Sequence, residues 1–208
     1  MVDRDIAARD VRDAAVLAAM GAVPRERFVS VDLADVAYED RPLPIADGQT
    51  ISQPFIVALM TEAVEIGLGG RVLEVGAGSG YGAAVASRVA DEVWTIERHE
   101  VLALGAADVL RSLGYDNVHV VHGDGTLGIP EAAPFDAIIV TAGGPAVPEA
   151  LLAQLADGGR LVMPVGSDGT SQELVRVRRT GNRFPEEDLG PVRFVPLIGE
   201  QGYAPGDE

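Results

Sequence analysis

Apolar positions along the 208-residue chain change their spacing near residue 71. Before it, residues 5–20 carry Ala, Val, Leu and Met among regularly spaced charges, which predicts a helix stopped by Gly21 and Pro24. Residues 25–40 are mixed and predict a second, short helix. Residues 41–48 hold two prolines on alternate positions, Pro42 and Pro44, which force extended or turn structure. An apolar run over 55–64 predicts a strong helix, stopped by the glycines at 67–70. From Arg71 onward, short apolar runs alternate with helical patterns. Strands are predicted at 72–75, 93–97, 118–122, 135–141 and 160–165. Helices are predicted from Ala83, over 100–113 and over 148–155. Such alternation implies an α/β fold with a doubly wound, mostly parallel sheet. Residues 173–178 alternate apolar with charged side chains, as a half-exposed antiparallel strand does. A last strand is predicted at 192–197. The chain therefore reads as a single domain over 1–208: a helical extension over 1–70, an α/β core over 71–198, and a polar, loose tail over 199–208.

The junction between the two patterns is Val72-Leu73-Glu74-Val75-Gly76-Ala77-Gly78-Ser79-Gly80-Tyr81-Gly82. Strand, glycine turn and helix form the first half of a nucleotide-binding βαβ unit. The dinucleotide pattern G-x-G-x-x-G would place its third glycine at 81, which is Tyr81; the spacing here is G-x-G-x-G. Glu74 ends the strand with a fixed negative charge. That suits a ligand carrying an ammonium or sulfonium and no phosphate, since phosphate is held by N–H groups and positive ends. S-adenosylmethionine is such a ligand. A tight turn that binds nothing is the alternative reading of the same glycines.

Composition narrows the classes. The net charge is −16, and all sixteen basic residues are Arg. Such a surface repels nucleic acid and anionic membranes, so neither is an expected partner. A halophilic source and a GC-rich genome both account for the missing lysine. There is no cysteine, hence no disulfide, no thiolate nucleophile and no cysteine zinc site. No run approaches the ~18 apolar residues of a membrane span, and no export signal is legible, so the cytoplasm is the expected compartment; separately, a monomer is expected. His119 and His122 lie three apart on a strand, on opposite faces, and no metal site is expected.

In an open parallel sheet, ligands lie outside the carboxyl ends of the strands. That rule nominates Glu74, Gly76, Ala77, Gly78, Ser79 and Gly80 after the first core strand. It nominates Glu97 after the second, Asp124 and Gly125 after the third, and Thr141 after the fourth. Glu97 can accept bonds from both hydroxyls of an adenosine ribose, in a dinucleotide site as well as a methyl-donor site; a helix cap is its other role. Asp124 or the Gly125 backbone can meet an adenine edge, although Gly-Asp-Gly is also a common plain turn.

The stretch 40–54, Asp-Arg-Pro-Leu-Pro-Ile-Ala-Asp-Gly-Gln-Thr-Ile-Ser-Gln-Pro, resembles the protein L-isoaspartate (D-aspartate) O-methyltransferase family. So do Val75 to Tyr81, Thr95-Ile96-Glu97-Arg98, Leu113-Gly114-Tyr115, Gly123-Asp124-Gly125, Ala133 to Ala142 and Phe194-Val195-Pro196-Leu197. The glycine loop is generic to methyltransferases; the segment Gln49 to Pro54 is specific to this family. The resemblance implies a class I, Rossmann-like methyltransferase fold whose extension faces the substrate, with S-adenosyl-L-methionine as cofactor. It implies methylation of the abnormal α-carboxylate of L-isoaspartyl and D-aspartyl residues in damaged proteins and peptides, the first step of their repair. The family's active-site serine falls on Ser52, and Thr50, Ile51, Gln53, Val195 and Leu197 would line the substrate site. Gln172 is a weaker correspondence. On local grounds, serine before Pro54 and an apolar helix is also a good N-cap. Gly82 stands where many relatives carry Gln. Two rivals follow: a methyltransferase of the same fold with another substrate, and a non-catalytic domain binding the cofactor or a partner.

Overall fold

The computed structural model describes residues 1–67, 69–166 and 171–206. Leu68 of the expected glycine stop, and Asp207 and Glu208 of the expected tail, lie outside the described residues. The helix α1 (Ala14–Ala22) is shorter and later than the expected helix over 5–20, and it continues through Gly21. Short π- and 3-10 turns, Val2–Ile6 and Ala7–Arg9, precede it. The break has a local cause. Asp10 takes a left-handed φ of 71°, and the Asp13 carboxylate accepts from Ala15 N at 2.8 Å and Val16 N at 3.0 Å, which starts a new helix there. Two 3-10 helices, Arg25–Phe28 and Val31–Val36, replace the single short helix expected next. A two-residue hairpin follows, β1 (Leu43–Pro44) with β2 (Thr50–Ile51), and then α2 (Pro54–Ala63).

The α/β core carries β3 (Arg71–Val75), α3 (Tyr81–Ala86), β4 (Glu92–Glu97), α4 (Glu100–Ser112) and β5 (Val118–His122). It continues with β6 (Phe135–Val140), α5 (Glu149–Gln154), β7 (Leu155–Val165), β8 (Gln172–Arg178) and β9 (Glu186–Val192). The sheet order is β5-β4-β3-β6-β7-β8-β9, parallel through β7 and antiparallel beyond. Both faces are covered. Val72, Ala137, Ile139 and Val162 pack under α1 to α4, while Leu73, Val75, Ile138, Val140 and Met163 pack toward α5. That is why these strands read as continuous apolar runs.

The expected last strand is displaced. The edge strand is β9, with the sequence Glu-Glu-Asp-Leu-Gly-Pro-Val, and no alternation betrays it. Its acidic side chains and Pro191 suit an exposed edge that must not recruit another strand. Residues 193–198 leave the sheet. Gly143 N donates to Val195 O at 2.8 Å and Leu197 N to Gly143 O at 2.7 Å, so this segment returns over the carboxyl end of β6. Residues 199–203 are held rather than loose: Glu200 N donates to Asp124 Oδ2 at 2.8 Å and Gln201 N to Thr126 Oγ1 at 3.1 Å.

The strand order reverses between β3 and β6, since β4 continues on one side and β7 on the other. This is the switch point where open α/β sheets bind ligands.

Candidate active site

A cavity of about 290 Å³ opens at that switch point. Its floor is the turn after β3. Gly76, at φ 96°, brings its backbone so close to β6 that a Cβ would overlap the Thr141 hydroxyl, which itself donates toward Val75 O and Gly76 O. The N–H groups of the turn's three glycines, Gly76, Gly78 and Gly80, are committed within the protein. Gly76 N donates to Ile96 O at 2.8 Å, Gly78 N to Glu97 Oε2 at 2.9 Å, and Gly80 N to Ala77 O at 2.7 Å. A phosphate needs such donors free, so the loss of these three weakens the turn as a phosphate cradle, in addition to its glycine spacing.

Two buried acids face the cavity. Glu97 is 5% exposed; its Oε1 accepts from His99 N at 2.9 Å and its Oε2 from Gly78 N, leaving further lone pairs for a ligand hydroxyl. Glu74 is 3% exposed and accepts from the Thr95 hydroxyl at 2.6 Å. A Cβ on Gly82 would overlap Glu74 Oε1, so glycine at 82 makes room for this carboxylate. Burial pushes the Glu74 carboxyl up to about 8; the Thr95 bond opposes that and the charge of Glu97 adds to it. Without a ligand, Glu74 is therefore mainly protonated at neutral pH, and the fixed negative charge expected there awaits a cation. An S-adenosylmethionine molecule fits this donor set: a cation for Glu74, ribose hydroxyls for Glu97, and no demand on the glycine N–H groups.

The opposite wall comes from the extension and from the returning segment. Thr50, Ile51 and Ser52 line the cavity, as do Val195 and Leu197. Ser52 is half-buried, and its hydroxyl makes no hydrogen bond to another described residue. The N-cap reading of Ser52 does not hold. The N-cap position of α2 is Gln53, with no side-chain cap bond, and the helix end is capped from a distance. Asp40 Oδ1 accepts from Phe55 N at 3.0 Å, while its Oδ2 accepts from Gln53 Nε2 at 2.7 Å and Arg9 at 2.9 Å. Asp40→Ala should cost about 1–2 kcal/mol of stability in urea unfolding, the loss of one cap. The helix field is thus already answered by a carboxylate and offers little to a substrate anion.

Several nominated residues lie elsewhere. Gln53 turns to Asp40 and does not line the cavity. Gly80 starts α3 at φ 87° and packs against Leu110 and Ala106 of α4. Gly125 lines the cavity, but the Asp124 carboxylate faces the tail. Burial pushes that carboxyl up, yet donors from Glu200 and Thr126 hold it below its usual range. Gln172 is a buried clasp on the returning wall: its amide donates to Phe194 O at 3.2 Å and accepts from Phe194 N at 2.7 Å.

Sequence reasoning missed Val57, Arg98, His99 and Pro196, all of which line the cavity. Arg98 and His99 directly follow Glu97, and the strand-end rule could have included them. Tyr81, also lining, is gripped from behind by Phe28, with ring centroids 5.7 Å apart, and by the guanidinium of the fully buried Arg25, 4.7 Å from the ring centroid. No group of three or more metal-ligating side chains converges among the described residues. No described helix is long and apolar enough to cross a membrane.

The family model for protein-L-isoaspartate(D-aspartate) O-methyltransferase matches residues 1–202. The chain belongs to this family. A relative from Pelobacter propionicus, protein-L-isoaspartate O-methyltransferase 2, is 58% identical over 204 residues, covering 98% of this chain and 91% of that one. A solved protein-L-isoaspartate O-methyltransferase superposes with a TM-score of 0.85 at 34% identity, over 94% of this chain and 64% of that longer one. A Plasmodium falciparum protein described under the same activity, solved in complex with S-adenosyl-L-homocysteine, has a TM-score of 0.78 at 27% identity. That match covers 92% of this chain and 94% of the other. The class I methyltransferase fold expected from the resemblance is therefore the observed one.

Proposed function

We propose that this protein transfers a methyl group from S-adenosyl-L-methionine to the α-carboxylate of L-isoaspartyl, and D-aspartyl, residues in damaged proteins and peptides. The observation that carries the reading is the facing pair of walls. One presents buried Glu74 and Glu97 around a turn whose three glycine N–H groups are committed; the other presents the Ser52 hydroxyl, which has no partner among the described residues.

The cofactor supplies an electrophilic methyl on a cationic sulfur. A carboxylate is already ionised at neutral pH, so the chain needs no general base, and no proton moves in the transfer step. With the donor bound, a carboxylate oxygen would take its methyl group as the carbon–sulfur bond electrons pass to sulfur, chemistry that the cofactor itself would supply. What remains for the protein is positioning. Ser52 donates to the carboxylate and aims one oxygen along the line of the bond that breaks. Ile51, Val57, Val195 and Leu197 shape the apolar side of the site and exclude water, with Thr50 at the exposed rim. Glu97 would hold the ribose and Glu74 would face the positive charge, with Gly76, Ala77, Gly78, Ser79, Gly125 and Thr141 lining the bed beneath. The product ester can close to a succinimide and reopen as normal aspartate.

The cavity is complete within one chain, which supports action as a monomer, and the net charge of −16 opposes nucleic-acid substrates. Transfer of labelled methyl to an isoaspartyl peptide, with none to its aspartyl twin, is the expected result. Equal labelling of both peptides, or of neither, would remove the substrate assignment.

A further inference from the structure

The hairpin β1–β2 is a flap. Its ladder is two residues long, Leu43 opposite Ile51 and Pro44 opposite Thr50, too short to be stable alone. Its tip, Ala46–Gly48, carries two consecutive left-handed residues, Asp47 at φ 54° and Gly48 at φ 68°. For a non-glycine residue that backbone is unfavourable, although Asp tolerates it better than most. The tip leans over the cofactor half of the cavity. Ile45 packs against Gly78, where a Cβ would come to 3.4 Å, and Gly48 and Gln49 line the cavity.

One contact ties the tip to the opposite rim: Asp47 Oδ2 lies 3.4 Å from His99 Nδ1, with both side chains partly exposed. His99 in turn lines the cavity and is anchored through its backbone N–H to Glu97, the same carboxylate that holds Gly78 N. A continuous chain therefore runs from the flap through Asp47, His99 and Glu97 to the glycine turn, encircling the space where adenosine would lie. Ser52 directly follows the second strand of the flap.

We propose that Asp47 and His99 latch this flap over the cofactor half of the cavity and so set how long the methyl donor and its thioether product stay bound. The proposal rests on the cofactor reading above. Both are positioning residues: neither is needed for the transfer step itself, and both act by holding a wall.

The test is the release rate of S-adenosylhomocysteine, followed by stopped-flow displacement, in the full chain and in Asp47→Asn, His99→Ala and the double variant. Asn tolerates left-handed backbone as Asp does, so Asp47→Asn removes the pairing charge and leaves the turn. A partly exposed pair of this kind corresponds to roughly 1.4- to 5-fold faster release for either single change. The double variant should release no faster than the faster single, because both remove one interaction. His99→Asn, whose amide N–H can sit where Nδ1 does, should restore slow release, and the urea midpoint of the ligand-free protein should stay put. Unchanged release in both singles, independent multiplication of their effects, or a fall in ligand-free stability without faster release would overturn the latch. A wild-type chain that does not bind the thioether at all would overturn the cofactor reading, and the latch with it.

Discussion

Ser52→Ala should lower kcat for isoaspartyl methylation by roughly 10- to 100-fold while leaving S-adenosylhomocysteine affinity within about 2-fold. The magnitude follows from one hydrogen bond to a charged acceptor, about 1.5–3 kcal/mol, lost at the moment of alignment. Ser52 is well suited to this test because its hydroxyl has no partner among the described residues and the adjoining helix is capped by Asp40. Removing the hydroxyl therefore leaves no broken network, and the urea midpoint should not move. Parallel losses in turnover and cofactor affinity would instead make Ser52 a structural residue of the cavity wall.

Glu74→Gln should separate stability from cofactor binding by pH. The carboxyl lies near 8 in the ligand-free fold and near 4.5 in the unfolded chain, so between those values the folded state holds a proton that the unfolded state has lost. Stability from this group is fully present below pH 4.5 and declines as pH rises toward 8, by up to about 1.4 kcal/mol per pH unit. The amide cannot ionise, so the variant should lose this slope and match or exceed the parent in urea unfolding near pH 8. Its affinity for the cationic donor should fall, since an ionised Glu74 is what faces positive charge. In the parent, donor binding near pH 6.5 should displace up to one proton, measured by calorimetry in buffers of different ionisation enthalpy. A pH-independent difference between parent and variant, with no proton displaced, would place the Glu74 charge outside cofactor recognition.

Both experiments act on side chains whose candidacy was legible in the chain but whose state was not. Glu74 could be named as an acid at a strand end. That it sits 3% exposed beside Glu97, with Thr95 as its hydrogen-bond donor, depends on residues 21 and 23 positions away. Asp124 illustrates the converse. Its place after β5 follows from the pattern, yet its carboxylate is taken by Thr126 and by Glu200, 76 residues on. Ser52 lost its local role as a cap because Asp40, twelve residues earlier, reaches the helix end first.

The sequence alone determined the alternation of strand and helix after Arg71 and the glycine turn, because these depend on local periodicity and on residue types with few conformational options, and the resemblance of the segment at 49–54 to a known family implied the class of chemistry. Tertiary structure decided the rest. The true edge strand has no alternation to read, the first helix breaks where Asp10 and Asp13 prefer their own turns, and residues 195–197 close the cavity from outside the sheet. The edge strand and the closing segment turn on hydrogen bonds and packing between residues distant in the chain, and at the helix break the local Asp13 cap is backed by Glu62, which accepts from Arg12 N at 2.6 Å and Asp13 N at 2.5 Å; only the assembled fold brings such partners within reach.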